Sequence, residues 1–229
     1  MEPFLKIMGS IMIDHIGQMP FVAAKKFKNK EALCFESQSF TFEELSKLIE
    51  KFSSSLSSLG IKEKDVVTLY ASNSWEWIVS YFSIARIGAI INPVNTMLTP
   101  SEIKHVVNDC KAKAIITSSD KVHAIINIKN ETSVSTLISF GKAPQGAQAF
   151  NKLIETENKP VKMPKIMPED LSTIGYTSGT TGHPKGAMQS HKSVVINGAM
   201  TSQLHMRGPE DVVVSALPCP HVYANVLMT

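Results

Sequence analysis

Two capping boxes fix how this chain can be read. Thr41 stands three residues before Glu44, and Thr99, followed by Pro100 and Ser101, stands three before Glu102. In each box a threonine hydroxyl and a glutamate carboxylate take up backbone N–H groups that the first helical turn leaves without partners. Behind Thr41, apolar residues recur at Leu45, Leu48, Ile49, Phe52, Leu56 and Leu59, and Gly60 is placed to end the helix. Behind Thr99, the inward stripe is Ile103, Val106, Val107 and Cys110. A third helical pattern opens at Asn73-Ser74, runs through Trp77, Ile78, Tyr81, Phe82 and Ala85, and stops near Gly88. Between these lie short β-rich runs at Val66 to Tyr70, Ala89 to Ile91 and Ala114 to Thr117. Strands alternating with helices at these lengths predict an α/β fold, a mainly parallel sheet flanked by helices.

The pattern weakens over 120–158, where a strand over 134–140 and a helix over 147–154 are expected. Pro160, Pro164 and Pro168, interleaved with lysines, mark an irregular, exposed linker. A strand over 171–176 follows, then a loop of Gly, Thr and Ser, a helix over 190–206, and a last strand at Val212-Val213-Val214. Trp75, Trp77, Tyr81 and Phe82 fall at helical spacing and are read as a packing face. The scattered methionines are read as core filling. The chain stops inside the apolar run Asn225 to Thr229, which needs partners to bury it, so a piece of a larger protein is expected.

Composition removes several classes of function. With 43% hydrophobic and 19% charged residues the chain is too apolar for disorder. A net charge of +3 spread over scattered lysines gives nucleic-acid binding no support. Cys34, Cys110 and Cys219 form no pair or cluster, so buried thiols are expected rather than a disulfide or a zinc site. Asp14, His15 and Lys25 interrupt any signal-peptide core, and the apolar stretch from Trp77 to Ile91 contains Arg86 and is too short to span a bilayer. A cytoplasmic protein is expected, with loose membrane contact left open.

Between Thr177 and Gly186 lie four hydroxyl residues, three glycines and one lysine. Glycines let backbone N–H groups approach phosphate oxygens, hydroxyls donate further hydrogen bonds, and Lys185 adds positive charge. Read as strand, loop and helix, the segment aims its donors outward at the end of the sheet. A Walker A loop is excluded, because Pro184 stands where glycine must precede the lysine and Gly186 where Ser or Thr must follow. The dinucleotide pattern GxGxxG is absent, and Tyr176, Pro184 and Lys185 are not the residues of a flexible linker. Glu102 and Asp109 share a helix without a partner motif and are assigned no catalytic work.

Tyr176-Thr177-Ser178-Gly179-Thr180-Thr181-Gly182-His183-Pro184-Lys185-Gly186 resembles the signature of the AMP-forming acyl-CoA synthetases and their adenylate-forming relatives. Phe40 to Leu45 and Gly88 to Asn95 look like that family's upstream landmarks. Leu217-Pro218-Cys219-Pro220-His221-Val222-Tyr223-Ala224 is similar to its Leu-Pro-x-Phe-His-x-Tyr segment, with Pro220 in place of the aromatic residue. The resemblance covers nearly the whole chain, as the first part of the large domain of such a ligase, without its small C-terminal domain.

That resemblance implies activation of a carboxylic acid, a fatty acid before others, by ATP. The acyl-adenylate then passes to coenzyme A, giving a thioester, AMP and pyrophosphate. It implies that Tyr176, Thr177, Ser178, Gly179, Thr180, Thr181, Gly182 and Gly186 hold the nucleotide, with Lys185 supplying charge. Thr177 would contribute to Mg²⁺ coordination, His221 would act at the wall between acid and adenylate, and Tyr223 would line the acyl pocket. Two alternatives stay open: an adenylating module that serves a carrier protein or another acceptor, and a non-catalytic nucleotide-binding protein. By itself the chain is expected to be inactive. His191 is read as a helix-start residue near the loop.

Overall fold

A computed structural model of the protein describes residues 13–177 and 184–221. A 3-10 turn, Ile16–Gln18, leads into helix α1 (Met19–Phe27), and an antiparallel hairpin follows, β1 (Glu31–Phe35) with β2 (Gln38–Thr41). Then come α2 (Phe42–Ser58), β3 (Val66–Tyr70), α3 (Trp75–Arg86), β4 (Ile90–Pro93), α4 (Pro100–Asp109), β5 (Ala114–Thr117), α5 (Val122–Lys129) and β6 (Thr136–Ser139). Last are β7 (Gln148–Ala149), α6 (Phe150–Glu155), β8 (Leu171–Thr177), β9 (Lys185–Ser190) and α7 (His191–Leu204). Both capping boxes form. Thr41 N–H donates to Glu44 Oε2 at 2.8 Å and Glu44 N–H to Thr41 Oγ1 at 3.2 Å. Thr99 and Glu102 repeat the pair at 2.8 and 3.3 Å.

The main sheet runs β7-β6-β5-β3-β4-β8-β9, parallel except for the antiparallel pair β8–β9. Strand alternation sorts its side chains into two cores. Val67, Leu69, Ile91, Ile116 and Ile138 pack with residues of α2, α3 and α6. Val66, Tyr70, Ile90, Ile115 and Leu137 pack with residues of α4 and α5. Because both faces are covered, the central strands read in sequence as continuous apolar runs. Trp77 and Tyr81 are fully buried and stacked at 5.4 Å, while Trp75 packs on Phe40 and Phe150.

Several expectations are corrected. The segment after the loop is first strand β9, which was not expected, and the helix expected over 190–206 follows it as α7. β9 lies antiparallel against β8, and Ser190 is the N-cap of α7, its hydroxyl accepting from Ser193 N–H at 3.2 Å. Val212-Val213-Val214 is not a strand. No described strand pairs with it, and Val212 and Val214 are 88% and 89% exposed. The helix expected over 147–154 begins only at Phe150, because Gln148 and Ala149 pair with β6. Segment 160–168 is irregular as expected, yet Ile166 within it is buried. Met97, Met167, Met188, Met200 and Met206 are exposed rather than core-filling. Of the thiols Cys219 is buried, Cys110 half-buried and Cys34 exposed on the small hairpin.

Among the described residues no helix is long and apolar enough to cross a membrane.

Candidate functional site

β8 and β9 form the two walls from which the glycine-threonine loop leaves the sheet. In their register Leu171 faces Ser190, Thr173 Gln189, Ile174 Met188, Gly175 Ala187, Tyr176 Gly186 and Thr177 Lys185. The last pair sets the first hydroxyl of the loop directly opposite its lysine, both exposed at the mouth of the hairpin. Gly186 permits this close pairing. A Cβ there would lie 3.0 Å from Ile174 Cγ2 and 3.1 Å from Tyr176 Cζ, so the tyrosine ring lies across the glycine. The donors of this loop are therefore carried on a β-hairpin, and the helix dipole of α7 begins a full strand later. Ser178, Gly179, Thr180, Thr181 and Gly182 lie outside the described residues, as does Tyr223.

Tyr176 is tied down at its far end, its hydroxyl donating to Asp109 Oδ2 on the last residue of α4. Burial, together with that carboxylate, raises the phenol far above its ordinary value, so the tyrosine keeps its proton. Beside it, burial pushes the Cys110 thiol up to about 11. Beneath β8 a buried polar line crosses three strands. Thr68 Oγ1 donates to Asn92 Oδ1 at 2.8 Å, and Asn92 Nδ2 donates to the Ile174 carbonyl at 2.8 Å. Neither Asp109 nor Asn92 was assigned a role from sequence. Each carried a signal: an amide inside a buried strand, and an acid at the helix end that the macrodipole disfavours.

His221 is exposed, and the contacts that place its segment run to the carboxyl end of β3. Asn73 Nδ2 donates to the Leu217 carbonyl at 2.8 Å, Cys219 N–H donates to Asn73 Oδ1 at 2.7 Å, and His221 N–H closes a turn onto the Pro218 carbonyl at 2.8 Å. Asn73 also lines a cavity of about 410 Å³ with Ser72, Ser118, Ser119 and Gly141. Helix α3 leaves β3 onto one face of the sheet and α5 leaves β5 onto the other, so this cavity sits at the topological switch point. Phe35, Glu36, Ser37 and Gln38 of the β1–β2 hairpin line it too, whereas no described residue of β8 or β9 does. His191 opens α7, nearly wholly buried, and its Nδ1 accepts the Ile16 N–H at 3.3 Å.

Among the described residues no group of three His, Cys, Asp or Glu could hold a metal ion. The exposed Thr177 residue could offer a single hydroxyl oxygen to Mg²⁺ arriving on a nucleotide, since that ion takes most of its ligands from phosphates and water.

The model of the AMP-binding enzyme family matches residues 21–229. An indoleacetate–CoA ligase from Aromatoleum aromaticum is 30% identical over 194 residues, 84% of this chain and 38% of that protein. A long-chain-fatty-acid–CoA ligase from Escherichia coli O157:H7 is 28% identical over 232 residues, 87% of this chain and 41% of that protein. Among solved structures, an anthranilate CoA ligase in complex with anthranoyl-AMP is 26% identical with a TM-score of 0.77, over 82% of this chain and 37% of that one. The chain thus spans about two fifths of the length of these relatives.

Proposed function

The chain belongs to the AMP-binding enzyme family, and we propose that the protein activates a carboxylic acid with ATP and passes the acyl group to coenzyme A. In the first step a carboxylate oxygen attacks the α-phosphorus of ATP, and the bond to the leaving pyrophosphate breaks. In the second, the thiol sulfur of coenzyme A attacks the acyl carbon of the adenylate, AMP leaves, and the thiol proton goes to solvent. Charge on phosphate oxygens dominates the first step, so positioned donors and cations do most of the catalysis.

The observation that carries this reading is the pairing of Thr177 with Lys185 at the mouth of the β8–β9 hairpin. It sets a hydroxyl and an ammonium on the two sides of one opening, with the glycine-rich segment joining them. Lys185 then neutralises charge on the bound triphosphate, Ser178, Gly179, Thr180, Thr181 and Gly182 are assigned to it by the sequence motif, and Gly186 lets β9 close on Tyr176. The Thr177 hydroxyl would be one ligand of Mg²⁺, and that ion would withdraw charge from the phosphate oxygens. His221 is assigned to the wall between acid and adenylate, and Tyr223, outside the described residues, to the acyl pocket, both on the strength of the sequence motif. A fatty or aryl acid is the substrate class favoured, since ligases for both kinds are among the relatives.

The test is pyrophosphate–ATP exchange by the intact protein across a panel of aliphatic and aryl carboxylic acids. Exchange that depends on the acid supports the reading, and thioester formed on adding coenzyme A supports the acceptor. Acid-independent release of ADP and phosphate, or no nucleotide turnover with any acid, overturns it.

A further inference from the structure

The part of β8 that carries the loop is held unusually. β4 and β8 share one register pair, Ile91 with Thr173. Beyond it, from Ile174 to Thr177, β9 continues the ladder on one side only. On the other side two side chains take over. Asn92 grips the Ile174 carbonyl, and the Tyr176 hydroxyl reaches the carboxylate of Asp109. The ring of Tyr176 is thereby pinned between Gly186 on β9 and the end of α4, one residue before the first hydroxyl of the loop. The Cys110 thiol sits in the same corner, its sulfur 3.8 Å from Asn92 Oδ1.

Asp109 gains nothing from its own helix. A negative charge on the last residue of α4 faces the carbonyl end of the macrodipole, where a cation is favoured. It is exposed, so the core does not need it. Its carboxylate accepts the hydrogen bond from Tyr176, and a bond to a charged acceptor is among the stronger kind.

We propose that Asp109 is a positioning residue for the phosphate loop, acting through Tyr176 to fix the point at which Thr177 leaves the sheet. The proposal rests on the nucleotide reading above.

The experiment titrates MgATP into the intact protein by calorimetry for wild type, Tyr176→Phe, Asp109→Ala, Asp109→Asn and the Tyr176→Phe/Asp109→Ala double variant. Tyr176→Phe and Asp109→Ala are each expected to weaken binding about tenfold or more, as for loss of a hydrogen bond to a charged group. The double variant should be no weaker than either single one, because both break the same link. Asp109→Asn retains an acceptor oxygen and should stay within about twofold of wild type. In parallel, alkylation of Cys110 by iodoacetamide, mapped by mass spectrometry, should speed up in Tyr176→Phe and Asp109→Ala but not in Asp109→Asn.

Additive losses, wild-type affinity in Asp109→Ala, or an Asp109→Asn variant as weak as Asp109→Ala would each overturn the proposal. Wild type that takes no MgATP sinks the nucleotide reading and this inference with it. Failure of the positioning role alone shows instead as normal wild-type binding with Cys110 alkylation unchanged in every variant.

Discussion

Thr68 and Asn92 face each other across β3 and β4, the threonine hydroxyl donating to the carboxamide oxygen at 2.8 Å with both residues wholly buried. The same carboxamide donates on to the Ile174 carbonyl. One side chain therefore joins the centre of the sheet to the strand from which the loop springs. Replacing Asn92 by Ala leaves a half-buried carbonyl and a buried hydroxyl without this partner, at about 1–3 kcal/mol for each. Urea unfolding of Asn92→Ala should show a loss of several kcal/mol, on the order of twice that of Thr68→Val, which strands only one acceptor of a group still bonded elsewhere. Equal losses for the two would show that Asn92 is not the junction.

Gly17 should tolerate no side chain, for reasons of space rather than conformation. A Cβ there would meet Arg86 Cα at 2.7 Å and the Ala85 carbonyl oxygen at 2.8 Å, all backbone atoms of α3. The Arg86 guanidinium in turn lies 4.0 Å over the Phe21 ring and pairs with Glu50 at 3.0 Å, so the approach seats α1 on the core. Gly17→Ala is expected to cost about 1–3 kcal/mol by overpacking. Gly60 is the contrast. Its φ of +85° favours glycine, but a Cβ meets nothing within 4 Å. Gly60→Ala should cost only about 1 kcal/mol. Thermal melts of the two variants check the order.

Acid should loosen the contact between the N-terminal turn and α7. His191 accepts the Ile16 N–H while its ring stands edge-on to His15 at 5.6 Å. Burial lowers both histidines, His191 to about 4, with His15 adding a repulsion that nearby Asp170 partly offsets. A base whose folded value lies below its unfolded value of 6.5 takes up protons first in the unfolded chain. Its stabilising contribution is therefore complete above about pH 6.5, declines as pH falls, and is gone below the folded value. For His191 the whole effect is on the order of 3 kcal/mol. Unfolding free energy measured from pH 7 to 4 should fall in wild type and fall less steeply in His191→Asn.

What the sequence made legible follows from where each element draws its order. The bounds of β3 and β5 were readable because both faces of these strands are buried, so every residue in Val66–Tyr70 and Ala114–Thr117 had to be compatible with a core. The starts of α2 and α4 were readable because their capping boxes are local. β9 was not. Lys185-Gly186-Ala187-Met188 has no β-branched residue, and pairing with β8 alone makes it a strand. Val212-Val213-Val214 fails in the opposite sense, having strand composition without a described partner. At the candidate site, the loop residues stand out in the sequence by type and spacing, though 178–183 lie outside the described residues. Asp109 did not, since its partner Tyr176 lies 67 residues on and only the fold joins them.

Lys185 offers the sharpest check on the chemistry. It stands opposite Thr177, exposed, at the last register pair before the loop. On the proposed reading, a cation so placed would meet the triphosphate from one side and would not touch the acid. Its charge matters most when negative charge builds on the phosphate oxygens during attack, so its removal should show in the rate of adenylation more than in binding of the carboxylate. Lys185→Ala in the intact protein should slow acid-dependent pyrophosphate exchange by about a hundredfold, as for other lost donors to a developing anion. The KM for the acid should move by no more than about threefold, as expected when only a transition-state contact is removed. Lys185→Arg restores charge but not its compact shape, and should recover only part of the rate. An unchanged exchange rate in Lys185→Ala, or a loss carried wholly by the KM of the acid, would place the lysine away from the reacting phosphates and leave the hairpin mouth without its assigned chemistry.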